Sequence, residues 1–423
     1  MKIRNAITFS CLFSVAAASS CALYAQVSNE WINFNQSYYK ITTSKDGIYK
    51  LTYSDLQTAG FPVGSVDPRR MQLFHRGVEQ AMFVQGQADA VFNPTDYLEF
   101  FGQRNNGERD AKLYKPSALQ PHNYYNIYSD TTAYFLTWNL TTPGKRMSTF
   151  SEVNVTNIPR ETSHNQEKLS VITDQYSIGY TQNDFLQYTQ FDQGEGWTGV
   201  AIRQGESVDY VLDQLTNQVQ SAGLPQIEVL LVGRDNISHA AEIYIGPNAG
   251  TLRLIGSPTF FGFETPKVSL PFNWSDIGAD GKVVVRIRAV GSGTNRYQLS
   301  ASYLKVSFPQ DFNLSGASEK VIRLNTNILD KSYVELDNPA AGFRILDITD
   351  RNNVSTIGTQ SSGIVLSAIV PGTQSSRILY ASNTTLSPFI RAVSFRQINP
   401  ANHDYLIVTH SSLLKPAAGY SSA

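Results

Sequence analysis

Few residues of this chain are placed to do chemistry, and they are scattered. Gly194-Glu195-Gly196-Trp197-Thr198-Gly199 matches G-x-G-x-x-G, a pattern that holds a dinucleotide only where it follows a strand and opens a helix, so that the helix N-terminus meets the pyrophosphate. Trp197, Thr198 and Gly199 are poor helix openers and no strand–helix–strand period surrounds them, so the motif reads as a loop or bulge at a sheet rim. The six histidines, His75, His122, His164, His239, His403 and His410, show neither H-x-x-x-H nor H-E-x-x-H spacing. They read as isolated surface or loop residues rather than zinc ligands. Asp89, Asp96 and Glu99 could offer carboxylates to calcium, but their spacing fits no ligand template and they read as turn-forming acids around a strand. No G-x-S-x-G elbow occurs, so a serine hydrolase has no local support. The sequence therefore assigns no catalytic, cofactor-binding or metal-binding residue, and no cofactor is expected.

Both cysteines, Cys11 and Cys21, lie near the start. Met1-Lys2-Ile3-Arg4 forms a positive n-region, Ile7 to Ala18 an apolar stretch, and Leu23-Tyr24-Ala25 a cleavage site before Gln26. That is the layout of a secretory signal peptide over residues 1–25, too short for a membrane span. Ala18-Ser19-Ser20 before Cys21 also raises a lipoprotein reading, which lacks the usual larger aliphatic residue three positions before the cysteine. Cleavage after Ala25 leaves no cysteine for a disulfide, a thiolate metal site or a nucleophile. Without Lys2 and Arg4, 32 of the 34 basic residues face 35 acidic ones, a net charge of about −3. Such a chain offers no basic field to recruit nucleic acid. Charged residues are 16% of the chain, against roughly 25% in ordinary soluble domains, which suits an extracytoplasmic β-protein with an uncharged polar surface.

The elements that would position these residues read almost entirely as strands. Tyr38 to Thr43 and Ile48 to Leu51 flank Asp46-Gly47 as an expected hairpin. Thr52 to Ala59 is expected to be a short helix with Thr52 or Ser54 as N-cap and Gly60 left-handed past its end. Met71 to Phe74 and Gln80 to Val84 flank His75 to Glu79 as a second hairpin. From about Glu161 to Pro309 longer alternating strands follow. In Lys282 to Ala289, Val283, Val285, Ile287 and Ala289 share one face and Arg286 and Arg288 the other, so one face is dry and the other wet. The expected fold is mainly β: a β-rich N-terminal domain (residues 26–160), a jelly-roll-like β-sandwich (161–309) and a further β-region (310–401). Residues 402–423 read as the truncated first strand and helix of an α/β domain, with Asp404 to His410 as the strand and His410 at its carboxyl end, where α/β sheets place functional groups. Without partners that histidine reads as structural.

Several stretches carry a resemblance in the same order. They are Asp46-Gly47-Ile48-Tyr49 with Leu56-Gln57-Thr58-Ala59-Gly60, and Asn93-Pro94-Thr95-Asp96-Tyr97-Leu98-Glu99-Phe100-Phe101-Gly102. Tyr134-Phe135-Leu136-Thr137, Gly194-Glu195-Gly196-Trp197, Leu346-Asp347-Ile348-Thr349 and Asp404 to His410 follow. Together they resemble the N-terminal half of the gingipain-type cysteine peptidases that serve as cell-surface sortases of the type IX secretion system. The resemblance implies β-domains ahead of a caspase-like α/β peptidase domain whose catalytic His and Cys map onto no residue of this sequence, so the chain as given is expected to be inactive. It also implies secretion by the signal peptide to the outer-membrane surface or periplasm. The implied partners are secreted cargo with C-terminal sorting signals, other type IX secretion components and an anionic surface glycolipid. The competing reading is a secreted β-sandwich module for carbohydrate or protein binding, with Trp197 and Trp274 as its exposed aromatic candidates.

Overall fold

The computed structural model describes residues 29–180, 189–290 and 298–421; the expected signal peptide and both cysteines lie outside them. The fold is mainly β, in several antiparallel sheets arranged around three apolar cores.

The first core is closed by Tyr39 and Ile41 from one strand and Tyr49 and Leu51 from the next, packed on Leu73, Tyr134 and Leu136. These two strands do not form the expected hairpin. Tyr38–Thr43 pairs with Thr132–Trp138 and with Phe389–Val393, whereas Gly47–Thr52 pairs with Tyr97–Gly102 in a different sheet. Both strands turn apolar residues into one core from opposite sides, and strands that face each other across a core cannot also be ladder neighbours. The chain turns a corner at Ser44 to Asp46. A Cβ on Gly47 would meet Leu386 Cδ1 at 3.0 Å, so close approach, not a turn conformation, favours glycine there. The short helix Tyr53–Thr58 is capped by Thr52, whose side chain accepts from the Asp55 amide while the Asp55 carboxylate accepts from the Thr52 amide. Gly60 follows at φ 81°. The second hairpin is tighter than expected: Met71–His75 pairs with Val78–Gln80 across Arg76 and Gly77, both at positive φ, because a two-residue turn of that kind matches strand twist.

The middle of the chain forms a sandwich. One sheet runs in the order Ile202–Arg203, Gln298–Gln310, Gln226–Gly233, Lys267–Pro271, with His164–Val171 also on Gln298–Gln310; the other runs Ser207–Leu212, Val283–Ala289, Ser238–Gly246, Arg253–Gly256. Val283, Val285, Ile287 and Ala289 meet Ile227, Val229, Leu231 and Val306 in one core, all fully buried. Arg286 and Arg288 point outward to Asp209 and Glu242. The expected dry and wet faces are both present.

The third core lies between the sheet of Glu319–Leu324, Arg377–Ser382, Arg344–Asp347 and Ser355–Ile357 and the sheet of Lys331–Asp337, Val365–Pro371 and Thr359–Ser362. It is stitched to the first. Ile48 and Phe101 share a small apolar cluster with Leu346, Ile348, Val354 and Tyr380. Glu99, buried, pairs with Arg344, and the Leu386 amide and carbonyl bond to Ile48 and Lys50 just before Phe389–Val393 joins the first sheet.

Residues 404–410 correct an expectation. No strand forms there; only Thr409 is partly covered, and no described strand offers these residues a ladder. An apolar run without a pairing neighbour has no partner for its backbone groups. A helix, Leu414–Ser421, does follow. Among the described residues no helix is long and apolar enough to cross a membrane.

Candidate functional site

The G-x-G-x-x-G segment is neither a loop nor a helix start. Glu195–Thr198 is a strand paired with Gln175–Ile178, and two tyrosines clamp it. The Tyr125 hydroxyl accepts from the Trp197 amide at 2.7 Å and donates to the Trp197 carbonyl at 3.1 Å, and the Tyr114 hydroxyl donates to the Glu195 carbonyl at 2.9 Å. Gly196 sits at φ 138°, and a Cβ there would come within 2.9 Å of the Tyr125 hydroxyl. No helix follows, so the geometry that holds a pyrophosphate is not formed. Trp197 is half-buried, edge-on to Tyr176 at 5.4 Å. Trp274, also half-buried, donates its Nε1–H to the Gly223 carbonyl and packs on the sandwich core.

The histidines are apart from one another, but several are not surface residues as expected. His75 is buried, stacked on Tyr134 at 4.2 Å with Nε2 3.1 Å from Thr132 Oγ1. Burial, helped by Arg76 and Arg109, pulls it down to about 3. His164 is buried against Phe312, and burial likewise takes it to about 3. His122 bonds Ser302 through Nε2 and is lowered to about 4, mainly by burial. His239 lies buried, Nε2 3.0 Å from the Gly262 carbonyl. His403 and His410 are exposed; His410 Nδ1 accepts from the Ser412 amide. Asp89 and Asp96 share Asn93, whose side-chain amide donates to Asp89 and whose backbone amide donates to Asp96, while Glu99 pairs with Arg344. Among the described residues, no group of three His, Asp or Glu side chains converges as a metal site would require.

Two features stand out that no motif marks. At the joint of the units, a cleft of about 480 Å³ is lined by Asp46, Glu167, Glu319, Lys320, Arg323 and Tyr380. These charges have partners: Arg323 pairs with Glu167 at 3.0 Å, the Tyr380 hydroxyl donates to Glu319, and Lys320 Nζ donates to the carbonyls of Asp311 and Asn313. Burial brings Lys320 down to about 8. This is the chemistry of a polar joint. The second feature covers the outer face of the first sheet. Trp31 stacks on Phe74 at 5.1 Å and lies 5.3 and 5.5 Å from Phe135 and Phe395, flooring a hollow of about 460 Å³ rimmed by Arg76, Arg109 and Arg396. Arg76 pairs with Glu108 at 2.9 Å, and Arg109 donates to the Arg76 carbonyl. The alternation of Lys40 with Ile41 and of Phe135 with Leu136 was the signal for this outer face; its convergence with Trp31 and Phe395, far apart in sequence, was not legible.

Compared with protein-family models and with curated proteins, the sequence matches none. Among solved structures, the fold is similar to dimeric latent PorU from Porphyromonas gingivalis, with a TM-score of 0.59 and 16% identity over 85% of this chain and 33% of that chain. The chain thus spans about a third of the length of that protein. A CBM36-1 domain of a multidomain xylanase from the hindgut metagenome of Trinervitermes trinervoides aligns with a TM-score of 0.20 and 14% identity over 34% of this chain and 95% of that one, too loosely to carry an argument.

Proposed function

We propose that this chain is the N-terminal β-region of a secreted, cell-surface cysteine peptidase of the gingipain type that removes C-terminal sorting signals from type IX secretion cargo. The observation that carries the reading is the likeness of fold to PorU along 85% of the chain, beside family-like stretches in the same order from Asp46 to His410. The hydrolytic step belongs to the whole protein. The β-units act as its scaffold, their buried charges held by ion pairs, as Glu99 by Arg344, or by neutral donors, as Asp110 by Asn126, rather than gathered around a reacting atom. Cargo, other secretion components and an anionic surface glycolipid are the partners, at the outer-membrane surface or periplasm. The carbohydrate-module reading gains little from Trp197 and Trp274, since both are half-buried, Trp197 against Tyr176 and Trp274 against the sandwich core.

Deleting the chromosomal gene and measuring the intact mass of secreted cargo tests the reading. Cargo should retain its C-terminal segment in the deletion strain and lose it on complementation. Unchanged cargo masses in the deletion strain would overturn the assignment.

A further inference from the structure

Phe389–Val393 is the outermost strand of its sheet; it pairs with Tyr38–Thr43 on one side, and no described strand lies on the other. Its register places Val393, Arg391 and Phe389 opposite Tyr38, Lys40 and Thr42, all on the outer face, because Ile41 and its partner Ile390 pack into the core. Arg391 and Phe389 are exposed, Phe389 at 65%. Lys40 and Arg391 are thus a directly opposed like-charge pair, an arrangement that destabilises an antiparallel ladder. Neither forms an ion pair with a described residue, while the same face carries Arg76, Arg109 and Arg396 around the Trp31 hollow. The strand is regular along its length and has no proline within it, so nothing in it blocks further pairing. A lone edge charge can serve to keep other strands off. Here it is doubled by Lys40 and flanked by two apolar side chains, which favours a partner of opposite charge instead.

We propose that this edge is a docking site for an extended acidic peptide that adds a strand to the sheet by main-chain hydrogen bonds, with a carboxylate against Arg391 and apolar side chains beside Phe389 and Val393. Main-chain pairing supplies affinity and the alternate side chains supply choice. The register reads the same in either direction, so the preferred pattern is apolar-x-acid-x-apolar. The carboxylate relieves the Lys40–Arg391 repulsion that the free protein carries.

Fluorescence polarisation with the labelled peptide Ser-Val-Thr-Glu-Thr-Val-Ser tests this on the folded chain. Binding should weaken about tenfold when the peptide Glu is replaced by Lys, and Arg391→Glu should invert that preference, since a rim charge acts through complementarity. Arg391→Gln, a milder change at an exposed site, should abolish the preference and raise the melting temperature by removing the like-charge pair. N-methylation of alternate peptide amides should abolish binding. No binding at millimolar peptide, binding indifferent to Arg391 or to N-methylation, or competition by dextran sulfate equal in wild type and in Arg391→Gln would each overturn the proposal.

Discussion

His75 and His164 are neutral because burial makes charging them costly, and this gives the protein a defined response to acid. Both are pulled from 6.5 to about 3 in the folded chain. Between those values the unfolded chain binds more protons than the folded one, so their contribution to stability is intact above about pH 6.5 and is lost as pH falls toward 3. Each should add a slope of about 1.4 kcal/mol per pH unit across that window. Urea denaturation of wild type and of the His75→Gln/His164→Gln double variant between pH 4 and 7 checks this; the variant should lose most of the acid-induced decline, and an equal decline in both would assign it elsewhere. The placing of His75 was within reach of the sequence, since Met71, Leu73 and His75 share the period-2 face that is buried. His164 had no such signal: its strand is mostly polar, and the chain that covers it comes from Phe312, 148 positions on by the numbering.

Strands and their faces were largely legible, and pairing was not. Alternation gave the Val283–Ala289 faces and capping chemistry gave the helix at Tyr53, because both depend on neighbours within a few residues. The partner of a strand depends on which side of a core it occupies. Asp46-Gly47 therefore looked like a hairpin turn although the flanking strands belong to different sheets. The same limit applied to Gly194 to Gly199, where glycine spacing imitated a phosphate loop. What fixes that strand is a pair of tyrosines about 70 to 80 residues upstream, and this leads to a prediction. Gly196→Ala places a methyl against the hydroxyls of Tyr125 and Tyr114 and onto a backbone at φ 138° that suits glycine. The combined strain and displaced hydrogen bonds should cost about 2–3 kcal/mol, measured as a shift in urea midpoint. In a Tyr125→Phe background the same substitution should cost less, because one of the displaced bonds is already gone. Additive costs would show that the clamp does not act on Gly196.

The three cores are not equally independent. The first and third are joined by apolar packing: Tyr380 is 4% exposed, lies edge-on to Phe101 at 5.1 Å, and sits among Ile48, Leu346 and Ile348. The sandwich meets them through polar and aromatic contacts instead, such as Arg323–Glu167 and the packing of His122 and Tyr124 on Tyr303. A partly exposed ion pair such as Arg323–Glu167 is worth about 0–1 kcal/mol while burying one large aromatic is worth several times that, so the sandwich is tied mainly through Tyr303, and the first and third units through a whole apolar cluster. The first and third units should therefore open together and the sandwich separately. Tyr380→Ala is the sharpest probe, expected to cost about 3–5 kcal/mol as a buried aromatic truncation. Hydrogen exchange followed by mass spectrometry should show peptides covering Ile48–Phe101 and Ile322–Leu379 losing protection in step, while Val283–Ala289 keeps its wild-type protection. If the Val283–Ala289 amides loosen by the same amount, the chain is one cooperative body and the polar joint at Asp46 transmits stability as well as the apolar one. If only the third unit loosens, the shared cluster around Tyr380 does not bind the two units energetically, and the return of Phe389–Val393 to the first sheet is left as their main tie.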